Sequence, residues 1–141
     1  MSAEENKAIV RRWFEEFWSR GNLDVADEIL AADYIGHGNP PNRIENEKQL
    51  TTTLRTAFSE GQVTIEDQIV HEDKVVTRWT SRGVHTGEFM GIAPTGKQVL
   101  GMGILIQRLA GGKIVEAWGV VDTLGVLQQL GAMPLAGQGG K

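Results

Sequence analysis

Apolar residues near the N-terminus fall at Ile9, Val10, Trp13, Phe14, Phe17 and Trp18, a spacing that puts them on one stripe of a helix. Charged residues fill the other face. Ser2-Ala3-Glu4-Glu5 precedes the stripe with Ser at the N-cap and Glu three residues on, the pattern of a capping box. Gly21 ends this helix, and Asn22 can cap a second with Leu23, Ala26, Ile29 and Leu30 inward. Asp33 to Asn42 reads as a turn-rich loop holding Tyr34, His37 and two prolines. A third helix is expected from Leu50, Leu54, Ala57 and Phe58, although Thr51-Thr52-Thr53 lowers its propensity.

Gly61 is expected to end that helix, and after it the period changes to two. Val63, Ile65 and Ile69 mark a first strand, ending at the polar turn His71-Glu72-Asp73. Val75 to Val84 is a second strand, rich in Val, Thr and Trp. Gly83 to Gly96 is a glycine-punctuated connection. Val99 to Arg108 and Ile114 to Val121 are two more strands, joined by a tight turn at Ala110-Gly111-Gly112. A short helix, Thr123 to Leu130, follows. Strands grouped after helices imply an α+β domain over residues 1–134, with helices packed on a strongly curved antiparallel sheet. The open end of such a cone is a natural small-molecule pocket. The Gly-rich residues 135–141 are expected to be a disordered tail.

Composition narrows the function classes. A chain of 141 residues fits one domain. With a net charge of −4 and its Lys and Arg scattered, neither nucleic acid nor an anionic membrane is expected as a partner. The absence of cysteine removes thiolate catalysis, disulfides and Cys-based metal sites. The three histidines, His37, His71 and His85, form no paired motif, so no metal is expected. The chain opens directly on a charged helix pattern without a signal peptide or an apolar run of membrane-spanning length. A cytoplasmic location is therefore expected.

Several segments carry a specific likeness. Arg78-Trp79-Thr80-Ser81-Arg82-Gly83-Val84-His85-Thr86-Gly87-Glu88-Phe89 runs on through Gly91-Ile92-Ala93-Pro94-Thr95-Gly96-Lys97. Gly112-Lys113-Ile114-Val115-Glu116-Ala117-Trp118, Asp122 and Leu127-Gln128-Gln129-Leu130-Gly131 come later, and Val10 to Trp18 and Asp33-Tyr34 with His37 come earlier. Together, over about residues 4–131, they resemble the SnoaL-like polyketide cyclase (ester cyclase) family, which has the NTF2-like cone fold. The resemblance implies a homodimer or homotetramer, a hydrophobic small-molecule substrate, and no metal or cofactor. It also implies that Asp122 is the general acid/base of an intramolecular aldol ring closure. The best-known cyclases of that family resemble one another in having a His on the strand before the Asp strand. Here that strand carries Met102, Ile104 and Ile106 on one face and no His, which leaves His37 or His85 to substitute.

Asp122 stands between an apolar strand and an apolar helix, where a carboxylate is either an N-cap or a buried acid. Strand parity groups it with Ile114, Glu116, Trp118 and Val120. Beside Trp118 it would lose hydration and its pKa would rise, which suits a base facing a carbon between two carbonyls. Glu116 is expected to be solvated. His37 can rim the pocket or anchor its loop, and His85 can line the pocket or tie down the connection after it. Trp118, Tyr34, Phe89, Trp79 and Met102 are the expected substrate contacts. Trp13, Phe17 and Trp18 are expected in the core.

Two other classes remain open. Epoxide hydrolysis uses two Asp bridged by an Arg, which Asp67, Arg78 and Asp122 would have to supply. A non-catalytic binding or dimerisation module needs only the pocket. Ketosteroid-type isomerisation is disfavoured because Phe14 and Phe17, not Tyr, occupy the first helix.

Overall fold

The structure, a computed structural model, describes residues 2–133. The expected tail at 135–141 lies outside them. Helix α1 (Ala3–Arg12) opens on the capping box, with Ser2 Oγ accepting from Glu5 N–H and Glu5 accepting from Ser2 N–H. It continues as a π-helical stretch, Trp13–Ser19, then α2 (Asp24–Ile29). Strand β1 (Leu30–His37) comes next, followed by α3 (Ile44–Ala57). Strands β2 (Phe58–His71), β3 (Lys74–His85), β4 (Gln98–Ala110) and β5 (Lys113–Val121) form the meander, and α4 (Thr123–Gln129) follows.

The sheet has five strands rather than four, in the order β1-β5-β4-β3-β2. The stretch expected as a loop after Asp33 is largely strand β1, parallel to β5, with Gly36 opposite Ala117 and His37 opposite Trp118. Leu30, expected on a helix, instead begins that strand and is buried. Gly61 does not end a helix. It sits where β2 loses register between Ser59 and Gln62, next to Glu60 at φ 54°. Gly111 and Gly112 both have positive φ, 58° and 80°, which a two-residue hairpin between twisted strands requires.

The helices cover one face of the sheet. Val10, Trp13, Phe14 and Phe17 meet Tyr34, Val75, Leu109, Ile114 and Ala117 to make the core. Phe17 is fully buried, and one such side chain contributes about 1.5–3 kcal/mol. Trp13 stacks on Phe17 at 4.7 Å between ring centroids. These aromatic residues are core, as expected. On α3 the buried residues are Glu47, Thr51 and Ala57, while Leu50, expected inward, is 42% exposed.

The opposite face is open and carries a strip of exposed apolar side chains among polar ones. Ile69, Leu100, Met102, Ile104 and Val120 lie there, with exposures from 44% at Ile104 to 70% at Val120. Pairing of β4 with β5 skips Val115, so Ile114 turns inward while Glu116, Trp118 and Val120 align outward with Arg108, Ile106 and Ile104. The strand parity that grouped Ile114 with Glu116 and Asp122 is broken at this bulge.

Gly103 lets Trp79 lie across β4. A Cβ there would come 2.5 Å from Trp79 Cζ2 and 2.6 Å from the Val120 carbonyl oxygen. Gly103→Ala should destabilise the protein by about 1–3 kcal/mol. The check is chemical denaturation with Trp fluorescence as the probe. An unchanged midpoint would mean that Trp79 moves aside freely.

Candidate functional site

Strand β5 ends at Val121, and the Asp122 N–H donates the last ladder bond to Met102 O at 2.9 Å. The chain then turns into α4, and Asp122 Oδ1 accepts from Gly125 N–H at 2.9 Å. A Cβ on Gly125 would collide with this carboxylate, so glycine is what allows the cap to fold back. Asp122 is therefore an N-cap, and it is exposed rather than buried. The dehydration expected from Trp118 is not supplied, because the carboxylate is exposed. Oδ2 has no hydrogen-bond partner among the described residues and remains free to accept a proton.

His37 ends β1 on the outer face. Its Nε2 lies 2.7 Å from Glu116 Oε2, and its ring stacks on Trp118 at 5.0 Å and 12°. Glu116 Oε1 accepts from Arg108 Nε at 2.6 Å. The guanidinium, and after it the imidazole, hold the Glu116 carboxyl below the usual carboxylate range. Glu116 is half-buried and paired, not merely solvated. The acid beside His37 is thus Glu116 rather than Asp122. Counting back from the Gly111-Gly112 turn puts Arg108 opposite Val115. The bulge moves it to Glu116, and the sequence does not display that bulge.

His85 is fully buried on the inner face of β3. Its Nδ1 accepts from Thr95 N–H at 3.1 Å, with Thr95 Oγ1 at 3.0 Å. A backbone N–H only donates, so the neutral ring carries its proton on Nε2. That Nε2–H has no acceptor among the described residues. Bonds from His85 N–H to Lys97 O and from Gly96 N–H to His85 O close the connection that follows β3. Phe58 lies against the imidazole at 5.4 Å, and Phe89 meets Phe58 edge-on at 5.1 Å. His85 therefore ties down the connection and also holds an unused, directed donor.

Tyr34 is buried on the inner side of β1, and its hydroxyl donates to Glu47 Oε2 at 2.7 Å. Asn42 Nδ2 reaches Glu47 Oε1 at 3.4 Å. Burial pushes the Glu47 carboxyl above its ordinary pKa, and the bonds from Tyr34 and Asn42 only partly oppose this. Burial first, and the Glu47 charge second, push the Tyr34 phenol upward. Sequence reasoning did not single out Glu47. The available signal was its helical spacing to Thr51 and Leu54, which puts an acid on the buried stripe.

The expected site residues divide between the two faces. Tyr34, Trp79 and His85 are inside, His37, Trp118 and Met102 are outside, and Asp122 stands at the end of β5 between them. Asp67 and Arg78 are register partners, both exposed, and no salt bridge links Arg78 to Asp67 or Asp122. The Asp–Arg–Asp arrangement of an epoxide hydrolase is not assembled. Two surface clefts, of about 360 and 280 Å³, are lined by Asn6, Asp73 and Leu109 and by Gln62, Arg82 and Gln98, and no expected site residue is in either lining. No cluster of three or more potential metal ligands occurs among the described residues, and none of their helices is long and apolar enough to cross a membrane.

The chain has well-defined relatives. The aklanonic acid methyl ester cyclase DnrD of Streptomyces peucetius is 31% identical over 131 residues, covering 87% of this chain and 88% of the relative. Among solved structures, AclR of Streptomyces galilaeus, a candidate hydroxylase, superposes with a TM-score of 0.87 at 28% identity, over 95% of this chain and 89% of that one. IdmH of Streptomyces antibioticus, a candidate polyketide cyclase, gives 0.80 at 28% identity, over 89% and 98%. Both solved structures share this fold over most of their length. The sequence profile described as SnoaL-like polyketide cyclase matches residues 8–130, nearly every residue that builds the sheet and its cap, so the chain belongs to that family.

Proposed function

We propose that the protein is a cofactor-independent cyclase that closes a ring in a hydrophobic polycarbonyl compound by an intramolecular aldol reaction. The observation that carries this reading is the Asp122 carboxylate at the end of β5, with Oδ1 fixed and Oδ2 free, in a chain 31% identical to an ester cyclase. Asp122 Oδ2 takes the proton from a carbon between two carbonyls. The resulting carbanion attacks a ketone carbon of the same molecule and forms the C–C bond. The alkoxide produced takes the proton back from Asp122. No electrons leave the substrate, and the net change is isomerisation. A bound apolar substrate excludes water from the exposed carboxylate and so supplies the dehydration that the chain alone does not. Of the two candidate histidines, His85 is on the inner face, and its Nε2–H, without a protein acceptor among the described residues, is a donor suited to a carbonyl oxygen.

The test is turnover of aklanonic acid methyl ester, or a simpler polycarbonyl ester, by the wild type and by Asp122→Asn. Full activity in the variant sinks this reading. A second reading, a binding module without chemistry, is favoured by the exposure of Asp122 and its capping bond. It predicts ligand binding that is equal in the two proteins, with no turnover in either.

The outer sheet face fits a second copy of the chain. A contiguous apolar strip of this exposure marks an interface, and a two-fold pairing would cover Met102, Ile104 and Val120 in both copies. Ile104→Asp should give monomers in sedimentation where the wild type gives dimers or tetramers. Identical sedimentation of the two proteins would count against this face.

A further inference from the structure

The pairing of β5 with β4 stops at Val121 opposite Gly103, and Asp122 adds one bond to Met102. Leu100 lies beyond, paired with Arg82 of β3 on one side and with no strand on the side where β5 has ended. There its N–H donates to Gln129 Oε1 at 2.8 Å, and its carbonyl accepts from Gln129 Nε2 at 2.7 Å. The amide of Gln129 thus stands where the next residue of a strand would be, with one acceptor and one donor in peptide-like order. Gln129 Nε2 also reaches Gly125 O at 3.1 Å. Gly125 is held from both sides, its N–H by Asp122 and its carbonyl by Gln129. None of the seven residues of α4 is fully buried; its packing is limited to half-buried residues such as Val126 against Gly101 and to Leu130 just after the helix. A helix that short is not stable by itself.

We propose that Gln129 is a positioning residue. Its amide clamps α4 to the open edge of β4 and fixes the direction of the Asp122 carboxylate through Gly125. This rests on the reading of Asp122 as the acid/base. The experiment compares wild type with Gln129→Met, which keeps the length of the side chain and removes the amide. Gln129→Glu is the second variant. It keeps an acceptor for the Leu100 N–H and, when ionised, loses both donor bonds. Hydrogen exchange at the Leu100 amide should be about tenfold faster in Gln129→Met, while Thr77 in β3 keeps its protection. With the ester probe, kcat should fall about tenfold with KM nearly unchanged. Unchanged Leu100 exchange overturns the clamp. Faster exchange with unchanged kcat overturns the positioning role and leaves Gln129 a structural residue. Failure of the Asp122 reading would show separately, as full activity in Asp122→Asn whatever Leu100 does.

Discussion

Asp122→Asn should lower turnover of a polycarbonyl ester by roughly 10²–10⁴-fold, the usual contribution of a positioned acid/base. It should do so while leaving the fold and its stability nearly unchanged. The substitution separates two roles that the structure gives to one side chain. As a cap, Asp122 offers Oδ1 to the Gly125 N–H. An asparagine offers the same oxygen in the same place and ranks with aspartate as an N-cap. As a base, Asp122 offers Oδ2, and an amide cannot take a proton there. Asp122→Ala is the useful contrast. It removes both roles and should lose the same activity and about 1 kcal/mol of stability. Product formation measured with a thermal melt on each variant decides the matter. If Asp122→Asn is fully active, the carboxylate serves only as a cap.

How much of this was legible in the sequence follows from the range of each signal. The capping box at Ser2 and Glu5, the aromatic stripe from Trp13 to Trp18 and the Gly111-Gly112 turn are local patterns, and each formed as expected. Strand β1 was hidden because Asp33, Gly36 and the prolines after it are turn residues by type. What makes it a strand is a parallel partner about eighty residues later, Trp118 opposite His37, which no window contains. The faces of the candidate site residues were hidden for a related reason. Alternation assigns faces only while register holds, and one bulge at Val115 turned Ile114 away from Glu116 and Trp118. The partnership of His37 with Glu116 and Arg108 depends on that bulge. Asp122 kept its importance because its position, at the last residue before a helix, is itself local.

Tyr34→Ala should be among the most destabilising single changes, at about 3–5 kcal/mol, because a buried aromatic ring leaves a cavity. Tyr34→Phe isolates the hydroxyl. That group donates to a buried carboxyl, so the cost should be about 1.5–3 kcal/mol when Glu47 is charged and about 0.5–1.5 kcal/mol when it is neutral. The cost should therefore grow with pH. Glu47 has a folded-state pKa raised above its ordinary 4.5, chiefly by burial. A group raised in this way contributes stability that is fully present below the ordinary value and lost as pH rises through the folded value. Tyr34→Phe removes a bond that lowers this pKa, so the loss should extend to still higher pH. Glu47→Gln keeps an acceptor for the Tyr34 hydroxyl and cannot ionise, so its stability relative to the wild type should improve as pH rises. Urea denaturation of the three proteins over a series of buffers from mildly acid to mildly alkaline measures all of this. A Tyr34→Phe cost that is the same at every pH would mean that Glu47 does not ionise within that range, and that the pair is held as two neutral groups.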